Sequence, residues 1–97
     1  MKNLVFLDVE TTGLDLGKDE IIEIGMISVE NMQVESELSF IISPTSLVPE
    51  NVVELTGISN QMLEGAPIFS SVIPEISEFI KDKILIGHNI QFDIGFL

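Results

Sequence analysis

Asp8 and Glu10 are the residues of this chain most suited to chemistry. They close the segment Leu4-Val5-Phe6-Leu7-Asp8-Val9-Glu10, an apolar run that reads as a buried β-strand. Side chains at i and i+2 of a strand share a face, with Cα atoms roughly 6.5–7 Å apart. Two carboxylates at the end of an apolar strand are costly to bury without a partner. The chain contains no arginine to neutralise them. Hard oxygen donors suit Mg²⁺ or Mn²⁺, so a divalent cation is a natural partner. Taken alone, the pair is more commonly a solvated strand end, with Thr11 and Thr12 capping the turn that follows.

A second group lies far along the chain, in Gly87-His88-Asn89-Ile90-Gln91-Phe92-Asp93. Asp93 falls in the first turns after a short apolar strand, where a carboxylate also stabilises a helix start. His88 sits at a strand end, where a lone histidine more often makes a structural hydrogen bond than serves as a general base. Asn89 suits a helix N-cap.

The elements that must position these groups can be read from the pattern. Lys2 to Val9 reads as a strand covered on both faces. Glu20 to Val29 and Val34 to Ile42 read as two further strands around a tight turn at Asn31-Met32, giving an antiparallel meander. Glu50–Leu55 and Ser59–Leu63 read as short helices. Phe69, Val72, Ile73, Ile76, Phe79 and Ile80 recur at helical spacing. Pro74 places the regular start of that helix near Ser70 or Ser71, or kinks it. Ile84–Gly87 reads as a strand parallel to the first and beside it. The expected fold class is α/β, a mixed sheet of three antiparallel strands plus one parallel strand with flanking helices. One domain spans 1–97.

Composition narrows the partners. The net charge is −12, from 16 acidic and four basic residues. A surface that grips phosphates directly is therefore not expected. Cations would have to mediate any nucleic-acid contact, unless basic residues lie outside this chain; the charge also serves solubility alone. No apolar run approaches the ~20 residues that span a bilayer, so no membrane partner is expected. There is no cysteine, which excludes thiolate metal sites and disulfides and leaves cytoplasmic localisation as the default.

The two groups together, in order, resemble the DnaQ-like (DEDD) family of 3′–5′ exonucleases, which has a ribonuclease H-like fold. Asp8-Val9-Glu10-Thr11-Thr12-Gly13-Leu14 matches its first motif and His88-Asn89-Ile90-Gln91-Phe92-Asp93 its second. Leu55-Thr56-Gly57-Ile58-Ser59 and Met62-Leu63-Glu64-Gly65-Ala66-Pro67 look like the proofreading exonucleases of bacterial replicative DNA polymerases. The resemblance implies metal-dependent 3′–5′ hydrolysis of nucleic acid with release of nucleoside 5′-monophosphates. Asp8, Glu10 and Asp93 would hold two Mg²⁺ or Mn²⁺ ions. Thr11, Thr12, Gly13, Leu14, Ile58, Asn89 and Phe92 would line the path of a single-stranded or frayed 3′ end. Ile58 and Phe92 are equally suited to core packing, and turn geometry is the favoured reading of Gly13 and Gly57.

A DNA polymerase is an implied partner. A non-catalytic nucleic-acid-binding or scaffold module of the same fold is the alternative, as is a related endonuclease.

The family's third motif, a further carboxylate assisted by histidine or tyrosine, has no match here. No acidic residue follows Asp93, and there is no tyrosine. The chain therefore reads as the N-terminal portion of a longer exonuclease domain, with a sheet edge open to self-association. The expected outcome is little or no hydrolysis of a single-stranded oligonucleotide by the 97-residue chain with Mn²⁺; robust hydrolysis would contradict this reading.

Overall fold

The computed structural model describes residues 3–87 and 95–96. Four strands form one sheet in the order β3-β2-β1-β4. They are β1 (Leu4–Thr11), β2 (Ile21–Glu30), β3 (Gln33–Ile41) and β4 (Ile84–Ile86). β1 and β2 pair antiparallel, as do β2 and β3, while β4 runs parallel to β1. The expected mixed sheet is thus observed. Asn31 and Met32 have φ of 53° and 63°, the two successive positive values of the tight hairpin turn that matches strand twist.

β1 alternates between two environments. Val5, Leu7 and Val9 are buried and Phe6 and Asp8 are exposed. The three buried residues join Ile24, Met26, Val72 and Ile76 in the larger core cluster. Each such side chain contributes roughly 1.5–3 kcal/mol by leaving water. Cover on both faces of β1 was the expectation from its unbroken apolar run. Phe6 instead remains 43% exposed, because the helix packed on the sheet, α3 (Phe69–Ile80), contributes Val72 and Ile76 to the Val5/Leu7 side.

α1 (Glu50–Thr56) and α2 (Asn60–Leu63) close a second, smaller core of Ile22, Val48, Val52, Ile58 and Leu63. α1 ends on Gly57 at φ 78°, a left-handed C-cap whose N–H donates to the Val53 carbonyl. α2 starts on Ser59, whose hydroxyl accepts from the Met62 N–H.

α3 begins at Phe69, earlier than Pro74 suggested. Pro74 sits beyond the first turn, but on the exposed side, where water can satisfy the carbonyl that its missing N–H leaves open. No helix among the described residues is long and apolar enough to cross a membrane.

The charge of the chain meets itself at the β2–β3 hairpin. A side-chain hydrogen bond with Glu35, and the charge of Glu35, raise the Glu30 carboxyl above its ordinary value of 4.5. Glu30 therefore binds its proton more readily folded than unfolded, and the pair opposes folding when both groups are ionised. That penalty is absent below 4.5, develops as pH rises through Glu30's raised value, and is full above it. Glu35→Gln is expected to raise the melting temperature at neutral pH, with the gain shrinking as pH falls toward 4.5. A gain that is independent of pH would contradict the assignment.

Candidate active site

The site is built on the C-terminal half of β1. Phe6, Asp8 and Glu10 alternate with the core residues and so lie on the face opposite Val5, Leu7 and Val9. Asp8 is exposed and Glu10 is half-buried. On β2, Asp8 is paired with Gly25, and on β3 Gly25 is paired with Ser39. A Cβ built on Gly25 meets nothing within 4 Å, so the space beside the Asp8 carboxylate is open. Asp8, Gly25, Ser39, Phe6, Ile86 and Gly87 line a concavity of about 790 Å³.

β4 brings the second group toward the first. Phe6 pairs with Ile86, so the chain leaves β4 at Gly87 level with Leu7 and next to Asp8. The parallel pairing makes both strands end at the same side of the sheet. His88, Asn89, Phe92 and Asp93 themselves lie outside the described residues. Among the described residues, no three of His, Cys, Asp and Glu come together as a metal cluster. What they supply is the pair Asp8 and Glu10: carboxylate oxygens on one open face, a donor set that fits a hard divalent cation. A third donor has to come from elsewhere.

After Thr11 the chain enters the loop 12–20. The β1–β2 pairing is irregular between Glu10 and Thr11, where the ladder gives way to the loop. The Thr11 hydroxyl donates to the Gly13 carbonyl at 2.5 Å. Thr12 is 8% exposed and fully used. Its N–H donates to the Glu20 carbonyl at 2.9 Å, and its hydroxyl accepts from the Glu20 N–H at 3.0 Å. That hydroxyl in turn donates to Asp19 Oδ1 at 2.9 Å. The Glu20 carboxylate accepts from the Thr45 hydroxyl at 2.7 Å and from the Thr45 N–H, tying this loop to the one after β3. Leu14 is 84% exposed at the loop.

Ile58 has a different environment from the rest. It is 4% exposed and packed in the smaller core, and its N–H donates to the Thr56 hydroxyl. Its side chain has almost no surface to offer a nucleotide, so of its two expected roles core packing is the one this burial favours. Gly57 is explained by its left-handed cap, whereas Gly13 lacks a positive φ and answers to a different constraint.

Asp19, Glu20 and Thr45 were not among the expected site residues. Their signal in the sequence is indirect. Asp19-Glu20 closes a hairpin-like excursion that Thr12 opens, so the two ends must meet if β1 and β2 pair.

The profile of the exonuclease family matches residues 5–97. The chain belongs to the exonuclease family. It is 39% identical over 93 residues to the DNA polymerase III subunit epsilon of Aquifex aeolicus, covering 96% of this chain and 46% of that protein. It is 42% identical to the PolC-type DNA polymerase III of Thermotoga maritima, over 96% of this chain and 7% of that protein. It is 39% identical to the 3′–5′ exonuclease DinG of Bacillus subtilis, over 99% of this chain and 10% of that protein. The chain thus spans less than half the length of these relatives.

Among solved structures, exonuclease I from Methylocaldum szegediense superposes with a TM-score of 0.86 at 22% identity, covering 99% of this chain and 22% of that one. Exonuclease X in complex with 5′ overhanging duplex DNA gives 0.81 at 24%, covering 97% and 53%. These likenesses show the ribonuclease H-like fold of this exonuclease-family chain.

The hydrogen bonds of Thr12 lead to a quantitative expectation. Thr12→Val keeps the shape but strips the Glu20 N–H and the Asp19 carboxylate of a partner. It is expected to cost about 1–3 kcal/mol of folding free energy, the range for orphaned buried polar groups. Chemical denaturation measures it; a change under a few tenths of a kcal/mol would contradict the assigned bonds.

Proposed function

We propose that the protein is a metal-dependent 3′–5′ exonuclease that shortens a single-stranded or frayed 3′ end of DNA and releases nucleoside 5′-monophosphates. The observation that supports this most is the pair Asp8 and Glu10 on one open face of β1, next to the point where β4 delivers Gly87. Asp8, Glu10 and Asp93 are the proposed ligands of Mg²⁺ or Mn²⁺. Such cations, when bound, supply an attacking hydroxide and stabilise the leaving 3′ oxygen.

The chain's own residues do the rest. Asp8 and Glu10 offer oxygens from a strand whose opposite face is locked in the core, so their positions are set before any ligand arrives. Asp93, on the segment that follows β4, adds the third carboxylate. Thr11, Gly13 and Leu14 form the wall against the terminal nucleotide, braced from behind by the buried Thr12, with the exposed Leu14 side chain suited to an apolar contact with a base or sugar. Asn89 and Phe92 continue that path along the strand. A protein with a charge of −12 and an anionic substrate are reconciled because the cations stand between them. The relatives that are subunits of DNA polymerase III make a DNA polymerase the proposed partner.

A 5′-labelled single-stranded DNA incubated with the full-length protein and Mn²⁺ should give a ladder that shortens from the 3′ end. A blocked 3′ terminus should abolish it. Asp8→Ala should lower the rate by about 10³-fold or more, several kcal/mol of transition-state stabilisation. The same substitution should remove any rise in melting temperature that Mn²⁺ produces in the wild type. Cleavage that ignores the 3′ block would favour an endonuclease. No Mn²⁺-dependent rise and no cleavage would favour a scaffold.

A further inference from the structure

Gly13 and Asp19 occupy the same corner of the loop 12–20. A Cβ placed on Gly13 would stand 2.7 Å from Asp19 Cγ and 2.9 Å from its Oδ1, closer than real atoms approach. The carboxylate cannot simply swing away. Its Oδ1 accepts from the Thr12 hydroxyl at 2.9 Å and its Oδ2 from the Asp15 N–H at 2.9 Å. Asp15 in turn holds the loop's far limb, accepting the Asp19 N–H at 2.7 Å on its carbonyl and the Gly17 N–H at 2.9 Å on its side chain. One short side chain thus bridges Thr12 and Asp15, the residues that flank Gly13 and Leu14. It does so from a place that exists because residue 13 has no side chain.

We infer that Asp19 is a positioning residue for the strand terminus: its carboxylate, seated over Gly13 and bonded to Thr12 and Asp15, sets the shape of the wall Thr11–Leu14 that receives the terminal nucleotide. This rests on the proposed exonuclease reading for what the wall touches. It adds a residue outside the carboxylates proposed as metal ligands, and it gives Gly13 a reason other than turn geometry. Asp19 acts through Thr12 and Leu14 and takes no part in the chemistry. The loop's contribution is to hold substrate, so its loss falls on KM more than on kcat.

The test is a double-mutant cycle on the full-length protein, with 3′-end hydrolysis of single-stranded DNA and melting temperature both measured. Asp19→Ala removes two hydrogen bonds to a charged group and is expected to raise KM by about tenfold or more, with kcat changed less than threefold. Asp19→Asn keeps one of the two acceptor contacts and should fall between Asp19→Ala and wild type. Gly13→Ala should raise KM and lower the melting temperature in the wild type. It should do much less in the Asp19→Ala background, where the obstructing carboxylate is gone.

Effects of Gly13→Ala that are the same in both backgrounds would overturn the inference. So would Asp19 variants that lower kcat while leaving KM unchanged. Hydrolysis that is intact and Asp8-dependent, with an additive cycle, would overturn the positioning role alone. Absence of any 3′-end hydrolysis by the wild type would overturn both it and the exonuclease reading.

Discussion

β1 is hydrogen-bonded on both sides, antiparallel to β2 and parallel to β4, and its alternation fixes everything else. Val5, Leu7 and Val9 are held in the core with Val72 and Ile76 of α3. With those three committed, Phe6, Asp8 and Glu10 have one face left to them. A slip of one residue would drive the two carboxylates into the apolar cluster and expose three core side chains, at a cost of many kcal/mol. The position of the carboxylates is therefore enforced by packing on the far side of the sheet.

The loop that follows is fixed by different physics. It has little apolar surface to bury, and its shape comes from Thr12, Asp15, Asp19 and Glu20 bonding across its width. Glu20 then reaches Thr45, so the start of β2 and the segment after β3 are held together. In this loop the carboxylates serve as acceptors for backbone and hydroxyl donors. At Glu30 and Glu35 two carboxylates meet instead, and the neighbouring Glu35 raises the Glu30 carboxyl above its ordinary value.

Much of the fold was legible in the residues. The strand over Leu4–Leu7, the turn at Asn31-Met32 and the spacing of Val72 and Ile76 each answer to a local pattern that the structure follows directly. The helix start at Phe69 was less legible, because Pro74 removes one backbone hydrogen bond to Ser70 without fixing where the first turn begins. Phe6 misled for a related reason: an apolar residue specifies a wish for cover, and the described residues supply cover to one face of β1.

The shared face of Asp8 and Glu10 was legible because strand periodicity alone puts them there, while their proposed use as ligands came from the resemblance. Asp19 was not, since its partner Thr12 is seven residues away across a loop with no periodicity. Ile58 was ambiguous in sequence, and only its burial beside Ile22 and Val52 shows which of its two uses the fold makes of it.

The central claim is that the open face of β1 holds a divalent cation on Asp8 and Glu10. The most direct measurement is anomalous diffraction at the manganese edge from crystals of the protein grown with Mn²⁺. A peak is expected about 2.1 Å from carboxylate oxygens of Asp8 and Glu10, the distance for a small hard cation on oxygen. A peak elsewhere, such as at Asp15, or no peak at saturating Mn²⁺, would contradict it.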